Sequence, residues 1–343
     1  MTTASLPRTY RDYAHSGWRR ALLNQGSIII AVLVVVTTVA IFAVPHFGQP
    51  ITFTYLLRDM APALLIALPM TLIIITGEID LSVASIVGLA SVTVGVLVQG
   101  GVPIEVAFLV ALLVGAIAGL VNGLLITKIG LPSLAVTIGT LALYRGIAVG
   151  LLGTQAVTDF PKFWTDLAKA RILDTPIPVS TILVVVLAIV FVVLLHFTRF
   201  GRGIYAIGLS DEAARFAGVK IERTKTILYV LSGTVSAIAG IYWTLLYNNA
   251  RGDNAMGLEL SVIAAVLLGG VSIFGGTGAL HGVLAGVLLI GTLASALRLA
   301  NVTSDVINII TGVLLVLSVV STSFLRWLKT ARSKPRRTRT VER

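Results

Sequence analysis

Apolar residues come in long runs along most of this chain, with short polar breaks between them. From about residue 27 to residue 325 the runs reach about 17 residues or more, and a helix of that length crosses roughly 30 Å of hydrocarbon. They predict an all-α, polytopic membrane protein with about ten transmembrane helices. The first five fall near 27–44, 56–76, 81–98, 104–127 and 131–152. The second five fall near 179–197, 226–248, 258–274, 279–298 and 304–325. The eighth ends in glycines and is a candidate re-entrant segment.

Composition supports the pattern. The 343 residues are 56% hydrophobic and only 12% charged, with a mean hydropathy of +0.97, too little charge to cover a soluble surface of this size. One transmembrane domain is expected over 27–328. It is preceded by a segment, 1–26, in which Arg11, Tyr13, Trp18 and Arg20 suit a membrane interface, and followed by a basic tail, 329–343. Arg19 and Arg20 resemble the charged start of a signal peptide. The run after them is about 18 residues long and lacks a small-x-small cleavage site, so it reads as an uncleaved first span. The absence of cysteine excludes disulfides and thiolate metal sites. His15, His46, His196 and His281 lack the paired spacing of a zinc site, and no metal is expected.

The net charge of +11 does not point to nucleic acid, because the excess basic residues flank the spans. With the N-terminus inside, nineteen of the 26 lysines and arginines fall on the inner side, as the positive-inside rule requires. Both termini are therefore expected in the cytoplasm. The basic tail reads first as an orientation signal, and contact with anionic membrane lipid is a second possibility. Two loops are long: 153–178 outside, carrying Pro161, Pro176 and Pro178, and 198–225 inside.

Residues 80–92 (DLSVASIVGLASV) echo residues 259–271 (ELSVIAAVLLGGV), identical at six of thirteen positions. The two stretches open the third and eighth predicted spans, which run in opposite directions. A 5+5 inverted repeat would align them, and such repeats place a pathway at their interface.

Candidate chemistry is sparse. In the inner loop Ser210 is a good helix N-cap, Asp211 and Glu212 suit the positive end of the helix that follows, and Gly218 is placed to stop it. Asp80, with Ser82, either holds a bend or gate near the inner mouth or caps the third span at the interface. Glu259 carries the same ambiguity at the outer end of the eighth span. Arg145, beside Tyr144, either snorkels outward or lines a polar vestibule. Arg58 and Asp59 are expected to neutralise each other. The glycines at 269, 270, 275, 276, 278 and 282 fit close packing and a tight turn. None belongs to a GxxxxGK[ST] phosphate loop, so any ATPase is a separate chain.

The inner loop, GRGIYAIGLSDEAARFAGVKIERTK from Gly201, resembles the coupling loop of ATP-binding-cassette permeases, with Glu212, Ala213, Ala214 and Gly218 in order. The chain is similar to the branch importing ribose, xylose, rhamnose and autoinducer-2. GEIDLSVASIVGLASV from Gly77, LPSLAVTIGTLALYRGIA from Leu131 and LELSVIAAVLLGGVSIFGGTGALHG from Leu258 resemble its stretches in the right order. Glu78 departs from the family, which usually has an uncharged residue there.

The resemblance implies a non-catalytic permease of the bacterial inner membrane that imports a monosaccharide or sugar-like solute. It binds no cofactor, the ATP and Mg²⁺ residing on a partner ATPase. A periplasmic solute-binding protein delivers the solute, and a second copy or a paralogue completes the pathway. Ser210, Asp211, Glu212, Ala213, Ala214, Arg215 and Gly218 would form the ATPase-coupling helix. Asp80, Ser82, Thr140, Tyr144, Arg145 and Glu259 are the candidate pathway or gate residues. The alternatives are a branched-chain amino acid permease and an ion-coupled transporter using Glu78, Asp80 and Glu259. An intramembrane enzyme lacks any His/Asp/Ser or metal constellation at depth.

Overall fold

The computed structural model describes residues 25–314 and residue 316. The interfacial N-terminal segment, the end of the tenth span and the basic tail lie outside the described residues. Seven helices among these residues are long and apolar enough to cross a membrane. They are α1 (Gln25–Ala43), α2 (Pro50–Ile75), α4 (Ile104–Thr127), α5 (Ser133–Leu152), α7 (Ser180–Phe197), α10 (Ile221–Tyr247) and α12 (Leu280–Leu299). Two apolar helices are shorter, α3 (Val83–Gln99) and α11 (Leu258–Leu268), and a third, α13, is described over Ser304–Leu314. Three others join the spans: α6 (Lys162–Lys169), α8 (Arg199–Leu209) and α9 (Asp211–Phe216). Each predicted span thus meets one apolar helix. Successive spans alternate between one face carrying α6 and another carrying α8 and α9.

Helix α2 forms the centre. Proline at its N1 position, where no amide partner is lost, starts it six residues before the predicted span. Its stretch from Ala61 to Ile75 is buried throughout. Helices α1, α5 and α7 instead leave most of their apolar side chains exposed, as lipid-facing helices do.

Lipid is as apolar as leucine, so packing rather than the hydrophobic effect joins such helices. The contact between α4 and α10 shows how. Gly115, Gly119 and Gly123, four residues apart, form a stripe on α4 against Gly233, Tyr229 and Thr226 of α10. A Cβ on Gly119 would sit 2.1 Å from the Tyr229 carbonyl oxygen, so only glycine allows this approach.

Two spans are discontinuous. After α2 the chain turns at Gly77, where φ is +80°, and runs without helix through residues 77–82 before α3 begins. The second break follows α10. Residues 249–257 fold back along α3 in the opposite direction, with Ala250 against Gly95 and the Gly252 and Asn254 carbonyls against Gly88. Seven residues of α3 separate those contacts, so the loop descends about 10 Å into the bundle. Thr244 Oγ1 donates to Ser91 Oγ at 2.6 Å and Asn254 Nδ2 donates to the same oxygen at 2.9 Å, fastening the loop.

Helix α11 then occupies only 11 residues of the predicted 258–274 span, roughly 16 Å. The apolar run continues past it, but Gly270, at φ +96°, ends the helix in a glycine-rich turn. That turn reaches α2 and α8 through Gly276 N donating to the Ile75 carbonyl at 2.9 Å and Tyr205 Oη donating to the Gly278 carbonyl at 2.7 Å. Burial raises the Tyr205 pKa, which keeps the phenol protonated as a donor.

Candidate functional site

The loop expected to hold one short helix holds two. Thr198 caps α8, its Oγ1 accepting from Gly201 N at 3.1 Å. The glycines at 201, 203 and 208 argue against helix in the sequence. Two of them are present because the backbone packs too closely for a side chain: a Cβ at Gly201 would meet the Leu195 carbonyl and one at Gly208 the Ile75 carbonyl.

Helix α9 follows. Ser210 is its N-cap, with Oγ accepting from Ala213 N at 3.2 Å, and Gly218 follows its end with φ +80°. Ala214 is buried against Ile207 and Ile221. Glu212, Ala213, Arg215 and Phe216 remain exposed, and Phe216 is 86% exposed. The six-residue helix thus anchors one side and presents a mixed charged and apolar side outward. Lys225 lies in the second turn of α10 rather than in a loop, and its Nζ pairs with Glu78 at 2.7 Å and Asp211 at 3.1 Å.

Asp80 is fully buried within the protein. Ser82 N donates to its Oδ1 at 3.0 Å, Ser82 Oγ to the same oxygen at 2.6 Å, and Ser232 Oγ to Oδ2 at 2.8 Å. Asn122 Nδ2 donates to Ser82 Oγ at 2.8 Å. Tyr144 Oη donates to the Ala118 carbonyl at 2.9 Å and lies 3.4 Å from Asn122 Oδ1. Neither Asp80 nor Ser82 caps α3 through its side chain, so the capping alternative is corrected. The donors run from α4 and α10 toward one carboxylate in the break before α3.

Asn122 and Ser232 were not singled out in the sequence. The available signal was a polar residue among small ones inside an apolar span, as in GLVNG and LSGTVS. Thr140 is buried on α5 and hydrogen-bonds the Thr137 carbonyl at 3.4 Å, outside this set.

Arg145 neither snorkels outward nor stands free. Its Nη1 donates to the Gly252 and Asn254 carbonyls at 2.6 and 2.8 Å, and its Nη2 to the Ala84 carbonyl at 3.1 Å. It therefore ties α5 to the descending loop and to the start of α3. Glu259 sits in the first turn of α11, the helix of the eighth predicted span, directly after the descending loop, with Oε2 buried and accepting no hydrogen bond among the described residues. Asp80 precedes its helix by three residues whereas Glu259 follows the start of its own, so the two acids occupy different local positions.

Arg58 and Asp59 form no direct ion pair, although the Arg58 charge still acts on Asp59. Asp59 accepts from Tyr247 Oη at 3.1 Å and lies 3.9 Å from Arg298, while the Arg58 guanidinium stacks 5.9 Å from the Tyr55 ring centre. A helix places residues 58 and 59 on adjacent but diverging directions.

Residues 52–319 match the family model for the permease component of branched-chain amino acid transport systems. The chain belongs to this permease family. It is similar to the autoinducer 2 import system permease protein LsrD of Photorhabdus luminescens, 38% identical over 265 residues, 76% of this chain and 79% of that one. The protein of the same description from Yersinia enterocolitica is 37% identical over 76% of this chain and 80% of its own length. That from Escherichia coli K12 is 35% identical over 314 residues, 90% of this chain and 92% of the relative. No solved structure matches the chain. The expected all-helical transport permease is borne out by the family match and by the helices themselves.

Proposed function

We propose that this permease forms the membrane pathway of an importer driven by a separate ATP-hydrolysing chain, and that its solute is autoinducer 2 or a closely related sugar-like molecule. The observation that supports this most is similarity running through 90% of the chain to a permease described as importing autoinducer 2. On this reading the α9 face lies in the cytoplasm with both termini, and the chain resides in the inner membrane. The exposed side of α9, with Glu212, Ala213, Arg215 and Phe216, docks on the ATPase, which holds the ATP and Mg²⁺. The α6 face receives a periplasmic binding protein. Here Trp164 Nε1 donates to Glu105 at 3.2 Å and holds α6 against α4. A second copy or a paralogue completes the pathway.

Asp80, Ser82, Thr140, Tyr144, Arg145 and Glu259 then serve as gate or hinge positions. The buried donors satisfy Asp80 within the protein, and Arg145 fixes the descending loop. This weighs against ion coupling through Glu78 and Asp80, because Glu78 is paired with Lys225 and Asp80 is occupied by hydroxyl donors. It suits fasteners that hold discontinuous spans in one of two arrangements.

The test is uptake by cells lacking their own autoinducer 2 import, supplied with this chain, its ATPase and its binding protein. ATP-dependent removal of autoinducer 2 from the medium, unaffected by excess leucine, supports the proposal. Accumulation of leucine with no uptake of autoinducer 2 overturns the solute assignment in favour of branched-chain amino acids.

A further inference from the structure

Lys225 joins two parts of the chain that lie far apart in sequence. Its ammonium donates to Glu78 Oε1 and Asp211 Oδ2 at once, at 2.7 and 3.1 Å. Glu78 belongs to the non-helical stretch that leads two residues later to Asp80. Asp211 is the first residue of α9. One cation therefore connects the exposed helix to the break before α3.

The other charges on this face are placed differently. Lys128 and Arg215 reach Glu222 at 3.6 and 3.9 Å, and all three side chains are more than half exposed, where ion pairs contribute little. The Lys225 and Glu78 side chains are only 11% and 17% exposed, so their attraction is screened far less. Asp211 is 56% exposed, and that arm rests on its 3.1 Å hydrogen bond to the buried ammonium. Apart from the exposed Arg215–Glu222 pair, α9 meets the bundle through an apolar contact of Ala214 on Ile207 and Ile221. Such a contact permits sliding. A bridging ammonium with two short, directed hydrogen bonds resists separation.

We propose that Lys225 is the positioning residue through which displacement of α9 is conveyed to residues 77–82, and so to the Asp80 hydrogen bonds. The proposal rests on the reading of α9 as the ATPase-contacting helix. Movement of Asp211 away from the bundle leaves the ammonium to Glu78 alone. Movement toward it compresses the shared site. Either way the carboxylate of Glu78 follows the cation, and the non-helical backbone from Gly77 to Ser82 moves with it, tied to the end of α2 by the Gly77 and Glu78 amides and to Ser133, Thr137 and Tyr229 through Ile79.

The test uses the full importer in proteoliposomes with its binding protein, reading autoinducer 2 transported per ATP hydrolysed. Lys225→Met and Glu78→Gln are each expected to lower that ratio about tenfold, within the range of coupling between linked sites, while the ATPase still co-purifies. Lys225→Arg, which keeps a cation able to bridge both carboxylates, is expected to retain it within about twofold. A normal ratio in Lys225→Met or Glu78→Gln overturns the proposal. So does loss of ATPase co-purification and of thermal stability in both, with no rescue by arginine, because the cluster would then be merely structural. Failure of the unaltered chain to bind any ATPase would instead refute the importer reading itself.

Discussion

Replacing Asp80 separates its hydrogen-bonding role from its charge. The carboxylate accepts three hydrogen bonds in a site with no solvent exposure, and no lysine or arginine among the described residues bonds to it. Asp80→Ala leaves the Ser82 amide, the Ser82 hydroxyl and the Ser232 hydroxyl without their acceptor. Each buried donor so orphaned costs about 1–3 kcal/mol, which sets the loss at about 3–9 kcal/mol. Removing a carboxylate buried without a cation offsets part of it, and a net destabilisation of about 2–4 kcal/mol remains. Asp80→Asn behaves differently. Its carbonyl oxygen still accepts from Ser82, and its amide can donate to Ser232 Oγ once that hydroxyl turns its proton away. The expected cost is about 1 kcal/mol, that of exchanging a charged acceptor for a neutral one. Thermal unfolding of the purified permease in detergent reads the difference, with solute uptake measured in parallel. The alanine variant should melt well below the asparagine variant, and the asparagine variant should transport. Equal melting of the two, or an alanine variant as stable as the parent, would refute the argument from unsatisfied donors.

Two further perturbations address the packing. Gly119→Leu forces α4 away from the Tyr229 carbonyl and should destabilise the permease by about 1–3 kcal/mol through overpacking, whereas Leu120→Ala on the exposed neighbouring face should leave its melting temperature nearly unchanged. Arg145→Ala removes three hydrogen bonds to carbonyls from separate segments. It should increase protease cleavage between residues 249 and 257 before any change in global melting, and unchanged cleavage would contradict the tethering role.

Much of the fold was legible because lipid enforces it. A span must be apolar and long, and the sequence placed 104–127 on the helix found there and 131–152 and 179–197 within two residues. The cap of α9 was equally legible, since Ser210, Asp211 and Gly218 act within their own turn. The breaks were less so. Residues 269–274 stay apolar where the helix has already ended, and hydropathy does not distinguish a buried turn from a helix. Partners across spans were least accessible: Glu78 finds Lys225, Asp59 finds Tyr247 and Arg298, and Arg145 finds backbone carbonyls over 100 positions away. Those distances are set by how helices pack. The glycine stripe on α4, though spaced four residues apart, was not singled out in the sequence, and its partner helix was not legible there.

The most direct test of the account asks which side of the membrane α9 occupies and what covers it. The chain has no cysteine, so Ala213→Cys supplies a single exposed thiol on the outward side of that helix. A membrane-impermeant maleimide should label it only in inverted vesicles, and addition of the partner ATPase should protect it. Labelling in intact right-side-out cells, or labelling in inverted vesicles that the ATPase leaves undiminished, would contradict the assignment of α9 as the coupling helix of an importer.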